Sequence, residues 1–184
     1  MSRAPRPQLP GGIYHVTARG NRRAAIFADD ADRRHFISLF AHVVARFDWR
    51  CHAYCLMTNH YHLLVETPQP NISRGMHVLN WRYAGGFNAR HALAGHLFER
   101  RFHSAVVRSE LHLYELARYI VLNPVRAGIC VRPLDWQWSS YAAMVGAVPA
   151  PRFLTIPWLR DRFVAEPHQA AEYFAEFVAA GVDS

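Results

Sequence analysis

Arg50-Cys51-His52-Ala53-Tyr54-Cys55-Leu56-Met57, Thr58-Asn59, His60-Tyr61-His62-Leu63-Leu64-Val65-Glu66-Thr67 is the stretch that decides the fold. Two apolar, β-prone runs separated by a pair of turn-forming residues predict a tight antiparallel hairpin. Residues two apart on a strand share a face and lie about 6.6 Å apart along the chain. His60 and His62 can therefore reach one ion while Tyr61 points the other way. A bare His-x-His is more often only a polar strand face, so the pair needs support from the rest of the chain.

Upstream, Ile13 to Arg19 alternates as a strand and runs into the turn signal Gly20-Asn21. Asp29 or Asp30 can cap a helix whose apolar stripe is Phe36, Ile37, Phe40, Val43, Val44 and Phe47. Downstream, Pro68 and Pro70 break the chain, and Asn71 to Ala92 reads as a helix burying Met76, Leu79, Tyr83 and Phe87 despite Gly85-Gly86. His96 to His103 is a basic, aromatic loop leading into a short strand, Ser104 to Arg108. Leu111 to Leu122 is helical, and Pro124 predicts its end near Asn123. Terminal helices are expected around Trp158 to Phe163 and His168 to Ala180. The order strand-helix-strand-strand-helix-strand predicts an α+β, ferredoxin-like or RRM-like split βαβ fold. It has a central antiparallel sheet, helices on one face and a C-terminal helical extension.

A chain of 184 residues, 51% of them hydrophobic, is the size of one globular domain able to bury its own core. We expect a single domain over 1–184, with the core at about 13–141 and an extension over 142–184. No run approaches the length of a membrane span, and Met1 to Pro10 is Arg/Pro-rich without a hydrophobic signal core. Three cysteines in no disulfide spacing fit a reducing compartment, and the expected location is cytoplasmic. Residues 1–160 carry 20 Arg against 9 acidic residues, whereas 161–184 carry 1 Arg against 5, so the body of the chain suits a polyanion. Every basic residue is Arg, whose guanidinium suits phosphate contact and stacking on bases.

Cys51 and Cys55, read as lying on one strand face about 13 Å apart, are too distant to share an ion. Cys55 would face His62 across the hairpin, which leaves a Cys55/His60/His62 site open beside the commoner role of buried apolar thiols. Tyr119 and Asn123, four apart on one helix, share a face one turn apart. Leu113, Leu116, Ala117 and Ile120 supply that helix's core stripe and leave Tyr119 at its edge. Spacing alone equally fits a boundary aromatic and a C-terminal cap.

Five ordered motifs add what spacing cannot. They are Ile-Tyr-His-Val-Thr-Ala-Arg-Gly-Asn-Arg (13–22), Leu-Met-Thr-Asn-His-Tyr-His-Leu-Leu-Val (56–65), Gly-His-Leu-Phe-Glu-Arg-Arg-Phe (95–102), Arg-Tyr-Ile-Val-Leu-Asn-Pro-Val-Arg-Ala-Gly (118–128) and Trp-Ser-Ser-Tyr (138–141). Together they resemble the REP-associated tyrosine transposases, a branch of the bacterial single-tyrosine HUH transposases, from about Ile13 to Tyr141. Thr58, where many relatives carry Pro, replaces one turn residue by another.

The resemblance implies that His60, His62 and Asn123 hold a divalent ion, Mg²⁺ or Mn²⁺, and that Tyr119 is the nucleophile. It implies cleavage and transfer of a single-stranded DNA with a hairpin foot, through a 5′-phosphotyrosine and a free 3′-OH. Arg19, Asn21, Arg22, Arg100, Arg101 and Arg126 are the expected DNA contacts, with Phe102 as a stacking surface. Glu115 and Glu66 are candidate bases. The expected state is a monomer or homodimer with no membrane partner. Two rival readings remain: a non-catalytic single-strand-binding module on an RRM-like sheet, which needs exposed stacking aromatics, and a metal-dependent hydrolase, which forms no covalent adduct.

Overall fold

The computed structural model describes residues 8–156 and 169–182. β1 (Gly12–Arg19) leads through a 3-10 turn at Asn21–Arg23 to α1 (Asp30–Phe47). The hairpin β2 (Arg50–Leu56) and β3 (His60–Thr67) precedes α2 (Ile72–His91) and β4 (His103–Val106). There follow α3 (Glu110–Arg126), a single turn α4 (Tyr141–Met144) and α5 (Ala170–Ala179). The expected helix at Trp158 to Phe163 lies outside the described residues. No helix among the described residues is long and apolar enough to cross a membrane.

The sheet order is β2-β3-β1-β4 with every pairing antiparallel, the arrangement of the split βαβ fold. Strand parity divides the side chains between two cores. Tyr14, Val16, Tyr61 and Leu63 join Phe36 and Phe40 of α1 and Leu79 and Tyr83 of α2 on one face. On the other, Ala53, Cys55 and Leu64 pack against Leu113, Ala117, Ile120 and Val121 of α3 and Phe174 of α5. The appended helices thus cover the β2 and β3 side of the second face.

The hairpin connection is the two-residue loop Thr58-Asn59, closed by Met57 N donating to His60 O at 2.9 Å. The loop is also tied into the segment after β1. Thr58 O accepts from the backbone N–H of Ile26 and Phe27, at 3.0 and 3.2 Å, and Asn59 O accepts from Gly20 at 2.8 Å. Gly20 has no room for a side chain, since an added Cβ would lie 2.1 Å from Ala24 O.

Two local expectations require correction. The β2–β3 register shifts between Cys51 and Ala53, so the extra residue His52 turns toward Glu66. Cys51 consequently joins the α1/α2 core and Cys55 the α3 core, on opposite faces rather than one. Pro124 does not end α3, which runs on to Arg126. Only the last turn lies beyond the proline, and termination is supplied by Gly128, at φ +67°, whose N–H donates to Val125 O at 2.9 Å.

The Trp-Ser-Ser-Tyr segment covers the outer edge of β2. Leu56 N donates to Trp138 O and Ser140 N to Tyr54 O, both at 2.9 Å, while Trp136 Nε1 donates to Leu56 O at 3.1 Å. An edge that would otherwise present unpaired backbone groups is thereby closed.

Candidate active site

The β1–β3 register sets Thr17 opposite His62 and Arg19 opposite His60, and the β1–β4 register sets Thr17 opposite His103. Cross-strand partners share a face, so three strands place three histidines, a threonine and an arginine beside α3. With Glu99, Arg100, Arg101 and Tyr119 they line a cleft of about 470 Å³. The loop supplying Glu99 to Arg101 is clipped to the end of β1: Asn21 N donates to Leu97 O at 2.8 Å and Glu99 N to Arg19 O at 3.0 Å.

The His60 and His62 rings stand 5.0 Å apart, nearly perpendicular. His60 Nδ1 lies 2.7 Å from Asn59 Oδ1, an acceptor, so Nδ1 carries the proton and Nε2 keeps its lone pair. His62 Nδ1 lies 2.9 Å from Nε2 of His15, whose ring stacks on it at 5.2 Å. His62 Nε2 is buried with no hydrogen-bond partner. A buried nitrogen left open is costly unless something binds it.

Burial holds all three imidazoles uncharged. It pushes His15 down to about 4, aided by His103 and His112, and His60 down to about 4, aided by Arg19. His62 falls well below its ordinary value through burial, then the neighbouring His15, His60 and Arg19, with Asn123 close enough to oppose part of the shift. Neutral rings keep the lone pairs that a cation requires.

Tyr119 comes from α3, whose start is capped by Ser109 Oγ accepting from His112 N at 3.2 Å. Its neighbours Ala117 and Ile120 are fully buried while Tyr119 itself stays 38% exposed, at the edge of the packed stripe. Its ring meets that of His62 edge-on at 5.6 Å and that of His15 at 6.1 Å. Asn123 Nδ2 donates to Tyr119 O at 2.8 Å, which leaves Oδ1 as the end of that amide that acts on His62. Two imidazole nitrogens and an amide oxygen are a donor set that fits a divalent ion. Among the described residues no group of three or more His, Cys, Asp or Glu is placed to hold one.

A family model described as transposase IS200 like matches residues 9–123, which carry the histidine pair, Tyr119 and Asn123. The chain belongs to the IS200-like transposase family. A curated REP-associated tyrosine transposase of Haemophilus influenzae is 23% identical to this transposase over 152 residues, covering 77% of this chain and 86% of the relative. A solved REP-associated tyrosine transposase bound to a REP hairpin shares the fold. It has a TM-score of 0.68 at 20% identity, covering 84% of this chain and 92% of the other.

The remaining expected site residues of the transposase divide. Arg19, Arg100 and Arg101 line the cleft, Arg100 with Glu99 at 3.3 Å. Asn21 and Arg22 are exposed just beyond β1, Arg22 in the left-handed region at φ 53°. Arg126 sits over the Tyr119 ring, 5.8 Å from its centroid, and donates to Gly181 O at 3.2 Å. Phe102 is not a stacking surface: it is 5% exposed and belongs to the α1/α2 core. Alternation accounts for this, since the residue beside the outward His103 must face inward. Both carboxylates named as candidate bases are engaged in ion pairs. Glu66 is paired with Arg50 at 2.8 Å and His52 at 3.3 Å, and Glu115 with Arg118 at 2.5 Å. Cys55 lies in the apolar α3 core with its thiol 3.6 Å from Met57 Sδ, burial pushing its pKa upward. His15 was not singled out from the sequence. It has no partner two residues away on its own strand, and only the β1–β3 register reveals its relation to His62.

Proposed function

We propose that this chain cuts and rejoins single-stranded DNA carrying a hairpin, with Tyr119 as the attacking group. The observation that carries the proposal is the Tyr119 ring standing 5.6 Å from His62, in one cleft with His60 and three arginines. The family membership and the solved relative bound to a REP hairpin support the choice of substrate. Arg19, Arg100 and Arg101 attract the phosphate and hold the strand along the cleft. The Tyr119 oxygen attacks phosphorus, forming a phosphotyrosine on the 5′ side as the bond to the 3′ oxygen breaks. The phenol's proton leaves to water, and the departing 3′ oxygen takes one up. A phosphodiester replaces a phosphodiester, so the reverse attack by a 3′-OH rejoins DNA without ATP.

His60, His62 and Asn123 would hold Mg²⁺ or Mn²⁺, which supplies Lewis-acid neutralisation of the phosphate oxygens when bound. His15 and Asn59 fix the rings so that both Nε2 atoms stay open. The sheet face carries His15, Thr17, Arg19, His60 and His62 rather than the exposed aromatics of a passive RRM-like binder.

The test is incubation with a single-stranded hairpin oligonucleotide and Mn²⁺, followed by denaturing electrophoresis. A protein–DNA adduct is expected from the wild type and none from Tyr119→Phe, which should bind the DNA as before. Cleavage by the Phe variant at the wild-type rate would favour a metal-activated water instead.

A further inference from the structure

A second cavity, of about 640 Å³, lies between the outer side of α2 and the segment 95–102. Its walls are fixed from several directions. Asn88 Nδ2 donates to Gly95 O at 2.9 Å, the segment is clipped to β1 at Leu97 and Glu99, and Phe102 anchors it in the core. Trp81 stands on the α2 wall, 69% exposed, an unusual position for the largest side chain. The residue just before it, Asn80, also lines the cavity and has its Oδ1 taken at 2.6 Å by the hydroxyl of the buried Tyr61. That bond leaves the Nδ2 donor of Asn80 for an occupant. Glu99, Arg100 and Arg101 line both this cavity and the Tyr119 cleft, so the two adjoin along a rim that carries a pair of guanidinium groups.

We propose that this cavity takes one unpaired nucleobase of the DNA strand whose phosphate lies in the Tyr119 cleft, an inference that rests on the strand-transfer reading above. A base has the flat π-face that an exposed indole stacks on, and edge acceptors for the Asn80 amide. The intervening phosphates pass Arg100 and Arg101, which suits the sign of the charge there. A nucleotide held in this way sets the register of the strand, and with it which phosphate meets Tyr119. The match is to unpaired DNA specifically, because a base stacked within a duplex cannot present its face.

The test uses the full chain in EDTA, so that binding is measured without chemistry. The probe is a fluorescent hairpin oligonucleotide with single-stranded tails, together with a set in which one abasic site is walked along those tails. Trp81→Ala should lower affinity on the order of tenfold or more, and Trp81→Phe should restore most of it. At one tail position the abasic site should cost the wild type a similar factor and cost Trp81→Ala nothing further, because the two changes remove the same contact. Trp81→Ala binding as tightly as wild type, or losses that multiply at every position, would overturn the proposal. Adduct formation by the wild type in a parallel incubation with Mn²⁺, alongside unchanged Trp81→Ala affinity in EDTA, sinks the pocket and spares the strand-transfer reading. Coincident losses at one position without any adduct do the reverse.

Discussion

His15 Nε2 lies 2.9 Å from His62 Nδ1, and the two rings stack with an interplanar angle of 14°. One proton occupies that contact. If His62 offers Nε2 to an ion, its Nδ1 must be the donor and His15 the acceptor, so His15 selects the tautomer of its neighbour. His15→Ala should therefore weaken Mn²⁺ binding by about 10- to 100-fold. Calorimetric titration of the DNA-free chain reads this apart from catalysis, and His15→Gln, whose amide oxygen can accept the same proton, should recover part of the loss. An affinity unchanged in His15→Ala would show that His62 needs no partner.

DNA affinity should fall as salt rises, since each phosphate neutralised releases condensed counterions. With Arg100 and Arg101 both replaced by Ala, the slope of log affinity against log salt should flatten by about one unit or slightly more, at about 0.7 per single-strand contact. Filter binding across a salt series measures this, and an unaltered slope takes the pair out of the interface.

Phe102→Ala should act on the fold and not on the salt slope. Removing a buried phenyl costs about 3–5 kcal/mol of unfolding free energy, and the residue is 5% exposed in the α1/α2 core. Urea denaturation should show the loss. A stable variant with weakened DNA binding would return Phe102 to the surface role that its sequence context suggests.

Metal-free stability should decline as pH falls from about 6.5 toward about 4. The folded values of His15 and His60 lie at about 4, below the ordinary 6.5, so in that window the unfolded chain binds protons that the folded chain refuses. Stability is fully present above 6.5 and is lost on the way down. Asp29, Asp32 and Glu66 are also lowered, but from ordinary values of 3.8 to 4.5, so their losses begin lower. Denaturant midpoints for wild type and His15→Gln at pH 7.0, 6.0 and 5.0 should converge as pH falls, and parallel lines would contradict the burial argument.

The hairpin, both long helices and the facing of His60 with His62 were legible because each rests on local periodicity and a short turn. Tyr119 and Asn123 were legible as a pair for the same reason, since helical spacing is local. What escaped depends on partners distant in sequence. The turning of His52 toward Glu66 follows from a one-residue slip in pairing that no residue type announces. The inward Phe102 follows from where the preceding loop docks, and a run of Arg and aromatic residues reads equally as surface or anchor. Pro124 misled because its penalty applies to helix interiors, and here one turn of helix beyond it is closed by Gly128.

The tip of the β2–β3 hairpin carries a practical consequence. Hairpin tips are the usual place to insert a tag, a reporter or a new terminus. Here the Thr58 and Asn59 carbonyls accept three backbone N–H groups from the segment at 20–27. The Asn59 amide also donates to Arg23 O at 3.0 Å while its oxygen holds His60. An insertion at this tip would unfasten the segment after β1 and release the His60 ring together. The exposed turn around Gly146 to Ala150 is the better place to cut or extend the chain.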